Sequence, residues 1–202
     1  MVDFEEFYRG GQLVEGVPNN GVPWDIGAPQ PIVVAWEAAG RFRGRVLDAG
    51  CGTGDNALFL AAQGYQVTGV DIAPTAVEIA RGRGDGVEWI VGSTFAGPFD
   101  TVLASALFHC VPPDERPALA VALREAAGDE ALLNLTSLAV DGGPFAVTED
   151  ELRSALTGAG WEITRFWRDV VGLNGVDGLP ELPVWAVEAT AASRGGRATP
   201  TA

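Results

Sequence analysis

The sequence predicts an α/β fold: a doubly wound sheet of seven strands, mostly parallel with one antiparallel strand, with helices on both faces. Apolar segments of strand length alternate with segments of helix length from residue 45 onward, which is typical of a parallel sheet covered on both sides. A loop with three glycines directly follows the first strand. The last two apolar segments are separated by only a short glycine-containing loop, and we therefore expect them to pair antiparallel.

With 202 residues, of which 47% are hydrophobic, the chain is long enough for one sizeable core and short for two. We expect an N-terminal arm over residues 1–30, one domain over 31–192 and a disordered tail over 193–202. The arm is rich in glycine and proline and should be irregular, apart from a short helix at 2–8. Because its aromatic residues need a surface to pack on, we expect the arm to lie over the domain as a lid. These residues are Phe4, Phe7, Tyr8 and Trp24.

The domain should begin with a helix whose apolar residues recur at helical spacing after Gln30 and which ends at Gly40. Strands are then predicted at 45–50, 65–70, 87–91, 101–105 and 131–137, and helices at 55–63, 74–81 and 114–127. Thr148, followed three residues later by Glu151, forms a capping-box pattern that opens a last helix ending near 158–160. Two final strands, at 161–170 and 184–190, complete the sheet.

The charge balance argues against a nucleic-acid partner. The formal net charge is -14, and the 13 lysine and arginine residues are scattered along the chain, whereas phosphate binding depends on clustered basic side chains. We expect a small ligand instead, neutral or cationic. The sequence leaves the oligomeric state open.

No apolar run approaches the roughly 20 residues that span a bilayer, and the acidic N-terminus lacks the basic start of a secretory signal. We therefore expect a cytoplasmic protein without membrane contact. One histidine and two well-separated cysteines, Cys51 and Cys110, supply no ligand set for a metal. We expect reduced thiols and no metal ion.

The glycine loop and the end of the second strand predict an adenosine site. Gly50, Gly52 and Gly54 allow the backbone to pass close to a ligand at the carboxyl ends of the strands. Asp71, at the end of the second strand, can accept two hydrogen bonds from ribose hydroxyls.

Two further carboxylates narrow the choice of ligand. A dinucleotide fingerprint would have its third glycine where this chain has Asp55, whose charge would repel a pyrophosphate. Asp48, just before the loop, suits an ammonium group instead. A ligand that joins adenosine to a positive amino-acid end fits both observations, and S-adenosylmethionine has that structure.

The segments VLDAGCGTG, residues 46–54, and VDIAP, residues 70–74, resemble the first two motifs of class I S-adenosylmethionine-dependent methyltransferases. The resemblance covers about residues 45–137 and implies a Rossmann-like sheet, with S-adenosylhomocysteine as the product. It implies that Asp48 and Gly50 lie near the methionine end, Gly52 along the loop, Asp71 at the ribose and Ile72 against the adenine. We add Cys51, Ser93, Thr94, Tyr8 and Trp24 to the predicted cofactor-binding set. A nicotinamide enzyme and an inert doubly wound domain are the alternatives.

The segments PWDIGAPQP, residues 23–31, and FDTVLASALFHCVPPDER, residues 99–116, are similar to small methyltransferases that act on thiopurines, on halides or thiols, or on bacterial heterocycles or quinolones. This resemblance implies a small-molecule acceptor and an arm that closes over the cofactor. Ser93 and Ala104 stand where many relatives have Asp. Ser93 retains one hydrogen bond for the adenine amino group, whereas Ala104 removes a polar group near the site of methyl transfer.

Methyl transfer depends on alignment and on the exclusion of water, and it requires no nucleophilic residue of the protein. We place Trp24 and Phe108 at the substrate, where ring faces also tolerate a sulfonium charge; core packing is the alternative. His109, the only histidine, follows the fourth strand and is our candidate general base. Its alternative role is a hydrogen bond to the backbone near a turn set by two prolines. Ser105 is placed to orient a substrate hydroxyl.

We interpret the chain as an enzyme that transfers a methyl group from S-adenosylmethionine to a nitrogen, oxygen or sulfur of a small aromatic or heterocyclic metabolite. A halide or thiol methyltransferase is the main alternative among enzymes. A protein that binds S-adenosylmethionine without transferring its methyl group is the alternative from another class.

Overall fold

A computed structural model describes residues 2–13, 16, 19–143, 145–174 and 181–192. The predicted tail at 193–202 lies outside these residues. The helices are α1 (Phe4–Tyr8), α2 (Pro31–Ala38), α3 (Asp55–Ala62), α4 (Pro74–Arg83), α5 (Arg116–Ala126) and α6 (Glu149–Gly158). The strands are β1 (Arg45–Ala49), β2 (Gln66–Asp71), β3 (Val87–Val91), β4 (Phe99–Ser105), β5 (Ala127–Leu138), β6 (Trp161–Gly172) and β7 (Glu181–Ala191). Among the described residues, no helix has the length and apolar composition needed to cross a bilayer.

The strands form one seven-stranded sheet in the order β3-β2-β1-β4-β5-β7-β6. Only β7 runs antiparallel to its neighbours within the described sheet, β5 on one side and β6 on the other. The predicted fold class is thereby confirmed. The chain winds outward from β1 to β3, returns to the centre at β4 and winds outward on the other side. Connections therefore diverge between β1 and β4, which opens a crevice at the carboxyl ends of these strands.

Neighbouring residues in the central strands point to opposite faces of the sheet and fill two separate cores. Val46 packs with α2 and α3, whereas Leu47 packs with α5 and α6. The same division separates Leu103 from Val102 on β4. All four residues are fully buried, so the central strands are apolar on both faces, as a parallel sheet between helices requires.

The largest boundary error of the sequence analysis lies at β5, which begins at residue 127 and not at 131. After Ala127 the strand continues with Gly128, Asp129 and Glu130, and this glycine and the two carboxylates hid its start. The pairing with β4 is irregular here, since Phe99 lies opposite Ala127 while residue 101 lies opposite residue 132. Glu130 adopts a φ of 59° within this irregular stretch.

Of the two hydrogen bonds expected in the capping box of α6, one is present. The Thr148 hydroxyl accepts a hydrogen bond of 3.2 Å from the backbone N–H of Glu151, which satisfies one of the unpaired donors at the helix start. The Glu151 carboxylate, however, lies 2.7 Å from the Arg116 guanidinium and so links α6 to α5. Because Arg116 is buried, this ion pair takes precedence over the reciprocal capping bond.

The arm is joined to the domain by polar contacts at both of its ends. The Glu5 carboxylate accepts hydrogen bonds from the backbone N–H and the hydroxyl of Thr75, at 2.9 and 2.7 Å. The Gln30 side chain donates to Trp24 O and Gly172 O and accepts from Gly172 N–H. These contacts position the arm across the carboxyl ends of the strands.

Candidate active site

A cavity of about 620 Å³ lies in the crevice at the carboxyl ends of the strands. Its walls are the glycine loop, the end of β2, the segment that follows β4 and the arm. The volume is within the usual range of small-molecule and cofactor sites, and its position is that of ligands in doubly wound sheets. Predicted site residues on its wall are Tyr8, Trp24, Gly50, Cys51, Gly52, Asp71, Ile72, Ser93, Ser105 and His109.

The glycine loop has backbone conformations and neighbours that exclude a side chain. Gly50 and Gly52 have φ values of 70° and 53°, in the left-handed region. A Cβ atom on Gly50 would lie 2.9 Å from Leu107 Cδ1, and one on Gly52 would lie 3.0 Å from the Tyr8 hydroxyl. The loop therefore brings bare backbone to the cavity, with side chains packed closely against it.

Trp89 on β3 packs against the glycine loop, and the sequence analysis did not identify it as part of the site. A Cβ atom on Gly54 would lie 2.6 Å from Trp89 Cη2, and one on Gly69 would lie 2.6 Å from Trp89 Cζ3. The indole thus occupies the space that two glycines leave. Gly69 in the interior of β2 was the available signal, because a glycine within a strand often marks the close approach of another group.

Asp71 is held at the edge of the cavity by two backbone hydrogen bonds. Its Oδ2 accepts from Gly52 N–H at 2.8 Å, and its Oδ1 accepts from Ala73 N–H at 2.9 Å. Burial raises the pKa of Asp71, and these two bonds oppose the rise. Next to it, the Ile72 side chain is 62% exposed. A fixed carboxylate with further lone pairs therefore lies beside an apolar surface.

Asp48 does not line the cavity, in contrast to the expected position beside an ammonium group. It is 1% exposed and lies beneath the loop, and within the described part of the chain its Oδ2 has no hydrogen-bond partner. Burial and the charge of Asp71 raise the pKa of Asp48 to about 7. Asp48 can therefore influence a ligand in the cavity only through the loop or after a local rearrangement.

Tyr8 and Trp24 of the arm form an aromatic wall opposite the glycine loop. Trp24 Nε1 donates a hydrogen bond of 3.1 Å to the Tyr8 hydroxyl, and the two rings are nearly perpendicular. Phe7 is buried behind them, with its ring centre 5.5 Å from that of Trp24. Burial, together with the charge of Asp71, raises the pKa of Tyr8, so its hydroxyl remains neutral.

Asp55, at the start of α3, takes part in an ion-pair network that reaches the arm. The Arg83 guanidinium contacts Asp55 at 2.9 Å and also contacts Asp25 of the arm. In addition, Asn56 Oδ1 accepts a hydrogen bond of 2.9 Å from Gln30 N–H. The residue that replaces the third fingerprint glycine is thus part of the attachment of the arm to α3.

The segment after β4 departs from regular backbone at Ala106, whose φ is 61°. Its N–H donates to the hydroxyl and the carbonyl oxygen of Thr136, at 3.0 and 3.1 Å. The Ser105 hydroxyl lies 3.4 Å from the same Thr136 hydroxyl. A residue other than glycine is strained in the left-handed region, and such residues are typical of functional sites. Both Ser105 and Ala106 line the cavity.

His109 lines the cavity but lacks the properties expected of a general base. It is 8% exposed, and its Nδ1 accepts a hydrogen bond of 3.2 Å from Leu138 N–H. Burial and the nearby charge of Arg116 lower the pKa of His109 to about 3. The imidazole is therefore neutral and a weak base at neutral pH. The structure supports the alternative of a histidine bonded to backbone.

Phe108 and Thr94 are not on the cavity wall. Phe108 is fully buried in the core that α5 and α6 cover, so its predicted contact with the substrate is wrong. Phe108, His109 and Cys110 form one turn of 3₁₀ helix, in which successive side chains point about 120° apart. This geometry turns residue 108 toward the core and residue 109 toward the cavity. Thr94 is exposed, whereas Phe95, which the sequence analysis did not select, lines the cavity.

The described residues contain no group of three or more His, Cys, Asp or Glu side chains arranged to hold a metal ion.

Comparison with known proteins agrees with this fold. A family described as "Methyltransferase domain" matches residues 46–127, from β1 to the start of β5. The chain is 35% identical over 172 residues to 2-heptyl-1-hydroxyquinolin-4(1H)-one methyltransferase of Mycobacteroides abscessus, which covers 76% of this chain and 74% of the relative. The chain belongs to the class I S-adenosylmethionine-dependent methyltransferases.

Solved structures show the same fold. One comes from work on the conversion of a disulfide bond into a thioacetal group during echinomycin biosynthesis. It superposes with a TM-score of 0.80 at 31% identity and covers 94% of this chain and 90% of that chain. A second is the magnesium protoporphyrin IX methyltransferase ChlM of Synechocystis PCC 6803 with bound S-adenosylmethionine, with a TM-score of 0.65 at 23% identity over 80% of this chain and 76% of that chain.

Proposed function

We propose that this chain transfers the methyl group of S-adenosylmethionine to a nitrogen, oxygen or sulfur of a small aromatic or heterocyclic metabolite. One observation carries the proposal. A single cavity of about 620 Å³ extends from the glycine loop and Asp71 to the segment after β4, with aromatic side chains of the arm along its wall. The cavity thus offers a place for a methyl donor beside a place for an acceptor.

The loop side of the cavity has the groups that the methyl donor requires. The Asp71 carboxylate is fixed at the end of β2 and retains lone pairs that can accept from ribose hydroxyls. Ile72 offers an exposed apolar surface for an adenine ring, and Ser93 lies on the same wall. When bound there, S-adenosylmethionine supplies an electrophilic methyl group on a positively charged sulfur.

The arm side of the cavity supplies what methyl transfer demands of the protein. The ring faces of Tyr8 and Trp24 are compatible with a positive sulfur, and their apolar surface excludes water. Since the arm is bonded to α4 through Glu5 and to α3 through Arg83, these rings are held in a defined position. Fixed alignment of donor and acceptor accounts for most of the rate that such a site can provide.

The relatives suggest two kinds of acceptor. The relative from Mycobacteroides abscessus acts on a hydroxyquinolone, a bicyclic heterocycle. The structure from the echinomycin work concerns sulfur chemistry, which favours a sulfur acceptor as the second candidate. For the present chain, the volume and the aromatic lining of the cavity fit either kind of acceptor.

The test is the release of S-adenosylhomocysteine on a panel of phenols, azaheterocycles, thiols and iodide. We expect turnover on at least one organic class, with equal amounts of S-adenosylhomocysteine and methylated product. At a limiting concentration of S-adenosylmethionine, Asp71→Ala should lower this activity strongly, whereas the control Glu78→Gln, at an exposed position of α4, should retain it. Cofactor binding without methylation of any acceptor would favour the alternative of a protein that binds S-adenosylmethionine without methyl transfer.

A further inference from the structure

We propose that His109 is a hydrogen-bond donor that positions the acceptor and takes no proton from it. The inference rests on the proposed function, since it assigns His109 a role toward the acceptor in the same site. It is based on the hydrogen bond that fixes the imidazole and on the groups that surround the ring.

The backbone of β5 determines which nitrogen of His109 carries the proton. Leu138 N–H points at Nδ1 at 3.2 Å, so Nδ1 is the acceptor and has no hydrogen of its own. In a neutral imidazole the other nitrogen must then carry the hydrogen. Nδ1 faces the strand. Among the described residues Nε2 has no hydrogen-bond partner, and it is not one of the buried unpaired atoms, so it is the edge of the ring that is open to the cavity. The side chain therefore presents an N–H donor to a ligand.

Proton uptake by His109 would disrupt this arrangement. A histidinium carries hydrogens on both nitrogens, and the one on Nδ1 would meet the N–H of Leu138. The ring is also buried against Phe145, with the two rings perpendicular and their centres 6.1 Å apart. Geometry and burial thus both oppose a positive charge on the imidazole.

Groups of both charges act near the ring, since Arg116 is positive and the negative charge of Asp71, which lines the same cavity, acts on Cys110. Arg116 of α5 is buried, and its charge acts on both His109 and Cys110, although Glu151 pairs with it from α6. The Cys110 thiol donates to Ala106 O at 3.2 Å, and burial raises its pKa to about 12, so it remains neutral. Glu115, on the same wall, is exposed to solvent. With Nδ1 engaged by Leu138 N–H, the hydrogen on Nε2 of His109 is a donor that this end of the cavity offers to an acceptor atom.

An anionic acceptor leaves no proton for the enzyme to remove. The acceptor's electron pair forms the new bond to the methyl carbon, the bond from that carbon to the sulfonium sulfur breaks, and its electron pair stays on sulfur. A cation and an anion thereby give two neutral products. A hydrogen-bond donor such as His109 can hold an electron-rich oxygen or sulfur of the acceptor in line with the methyl group. This positioning does not require a base.

Two substitutions of His109 separate a donor from a base. His109→Gln places an amide N–H near the position of Nε2 and cannot accept a proton, whereas His109→Asn can keep an oxygen for Leu138 N–H but loses the donor at the far end of the ring. With 4-nitrothiophenol, a thiolate at neutral pH, we expect His109→Gln to retain turnover within a few-fold. His109→Asn should lose about 10-fold to 100-fold, as for a lost hydrogen bond to a charged group. With phenol, which must lose a proton, a loss of about 10²–10⁴ in a His109→Gln variant that keeps its turnover with the thiolate would identify a base and overturn the proposal. Equal thiolate turnover by the wild type and a folded His109→Asn would overturn the donor role.

Binding gives a second readout that does not depend on methyl transfer. In the presence of S-adenosylhomocysteine, calorimetry should show that the wild-type protein and His109→Gln bind 4-nitrothiophenolate about tenfold or more tightly than His109→Asn does. Melting curves show whether each variant is folded. If no panel compound is methylated, the proposed function fails, and this comparison still decides the role of His109. Equal thiolate affinity in wild type and His109→Asn, or no thiolate binding by the wild type, would contradict the donor role.

Discussion

Asp71 Oδ2 accepts a hydrogen bond of 2.8 Å from the backbone N–H of Gly52, so the carboxylate at the end of β2 holds the glycine loop of β1 in place. The two motifs that the sequence suggested separately are thus one structural unit. Any change at Asp71 therefore affects the loop as well as the proposed ribose site. The relationship explains why a carboxylate is suitable at this position, since it can accept from backbone donors and from a ligand at once.

Asp71→Ala should weaken the binding of S-adenosylhomocysteine by about 1.5–3 kcal/mol, the range for lost hydrogen bonds to a charged group. Calorimetry measures the affinity, and a melting curve shows whether the fold persists. Glu78→Gln, on the exposed side of α4, is the matched control and should bind as the wild type does. Unchanged affinity in a folded Asp71→Ala variant would remove Asp71 from the cofactor site.

Deletion of residues 2–24 should abolish turnover while it lowers the melting temperature of the domain only moderately. The reason is that Tyr8 and Trp24 cover the cavity, whereas the sheet and its two cores are formed by later residues. Segments that cover active sites generally belong to the less stable parts of a fold. Activity and thermal unfolding should be measured on the same preparation. Full activity of the shortened chain would leave the arm with a packing role alone.

Asp48→Asn should stabilise the fold at alkaline pH. Because the pKa of Asp48 is raised from 3.8 to about 7 in the folded state, the folded protein holds a proton that the unfolded chain releases between these values. This contribution to stability is therefore lost as the pH rises from about 4 to about 7. The neutral amide avoids that loss, so the variant should melt at a higher temperature than the wild type at pH 8. Below pH 4 the two proteins should differ little.

The melting curves need a control for general effects of the substitution. Asp100→Asn is unsuitable as a control, because the Asp100 carboxylate near the start of β4 accepts a hydrogen bond from Arg45 N–H. Glu78→Gln is therefore the better control, and it should show no such pH-dependent gain. A wild-type protein whose stability relative to Asp48→Asn is constant from pH 4 to pH 8 would contradict the raised pKa.

Phe108→Ala should destabilise the protein by about 3–5 kcal/mol, the usual cost of removing a buried phenylalanine ring. The residue is fully buried among the side chains that α5, α6 and β5 contribute. Denaturant unfolding measures the loss. A residue that only touched the substrate would change activity with little effect on stability, and that result would restore the original prediction for Phe108.

Much of the fold was predictable because its signals are local. The buried strands are continuous apolar runs, Gly40 and Thr148 mark helix ends, and the short connection before β7 implied its antiparallel pairing. The start of β5 was missed because Glu130 and its neighbours are polar, and their strand structure depends on pairing with β4. Sequence patterns do not record such tertiary pairing.

The residue types of the site were predictable from the sequence, whereas the directions of some of its side chains were not. Asp71 and the glycines lie where their motif indicates, because β2 and the loop have fixed geometry. The directions of the Phe108 and His109 side chains depend on a single 3₁₀ turn. Along this turn, a step of one residue takes a side chain from the core to the cavity. Likewise, the contact of Trp89 with Gly69 joins two strands, which no spacing within one segment reveals.

The central claim is tested most directly by following the methyl group itself. The protein is incubated with S-adenosylmethionine carrying a deuterated methyl group and with the panel of phenols, azaheterocycles, thiols and iodide, and the products are analysed by mass spectrometry. We expect at least one organic acceptor to gain the deuterated methyl group, in the same amount as S-adenosylhomocysteine is formed, and Asp71→Ala to lower both strongly when the concentration of S-adenosylmethionine is limiting. Tight binding of S-adenosylhomocysteine with no labelled product on any acceptor would contradict the central claim.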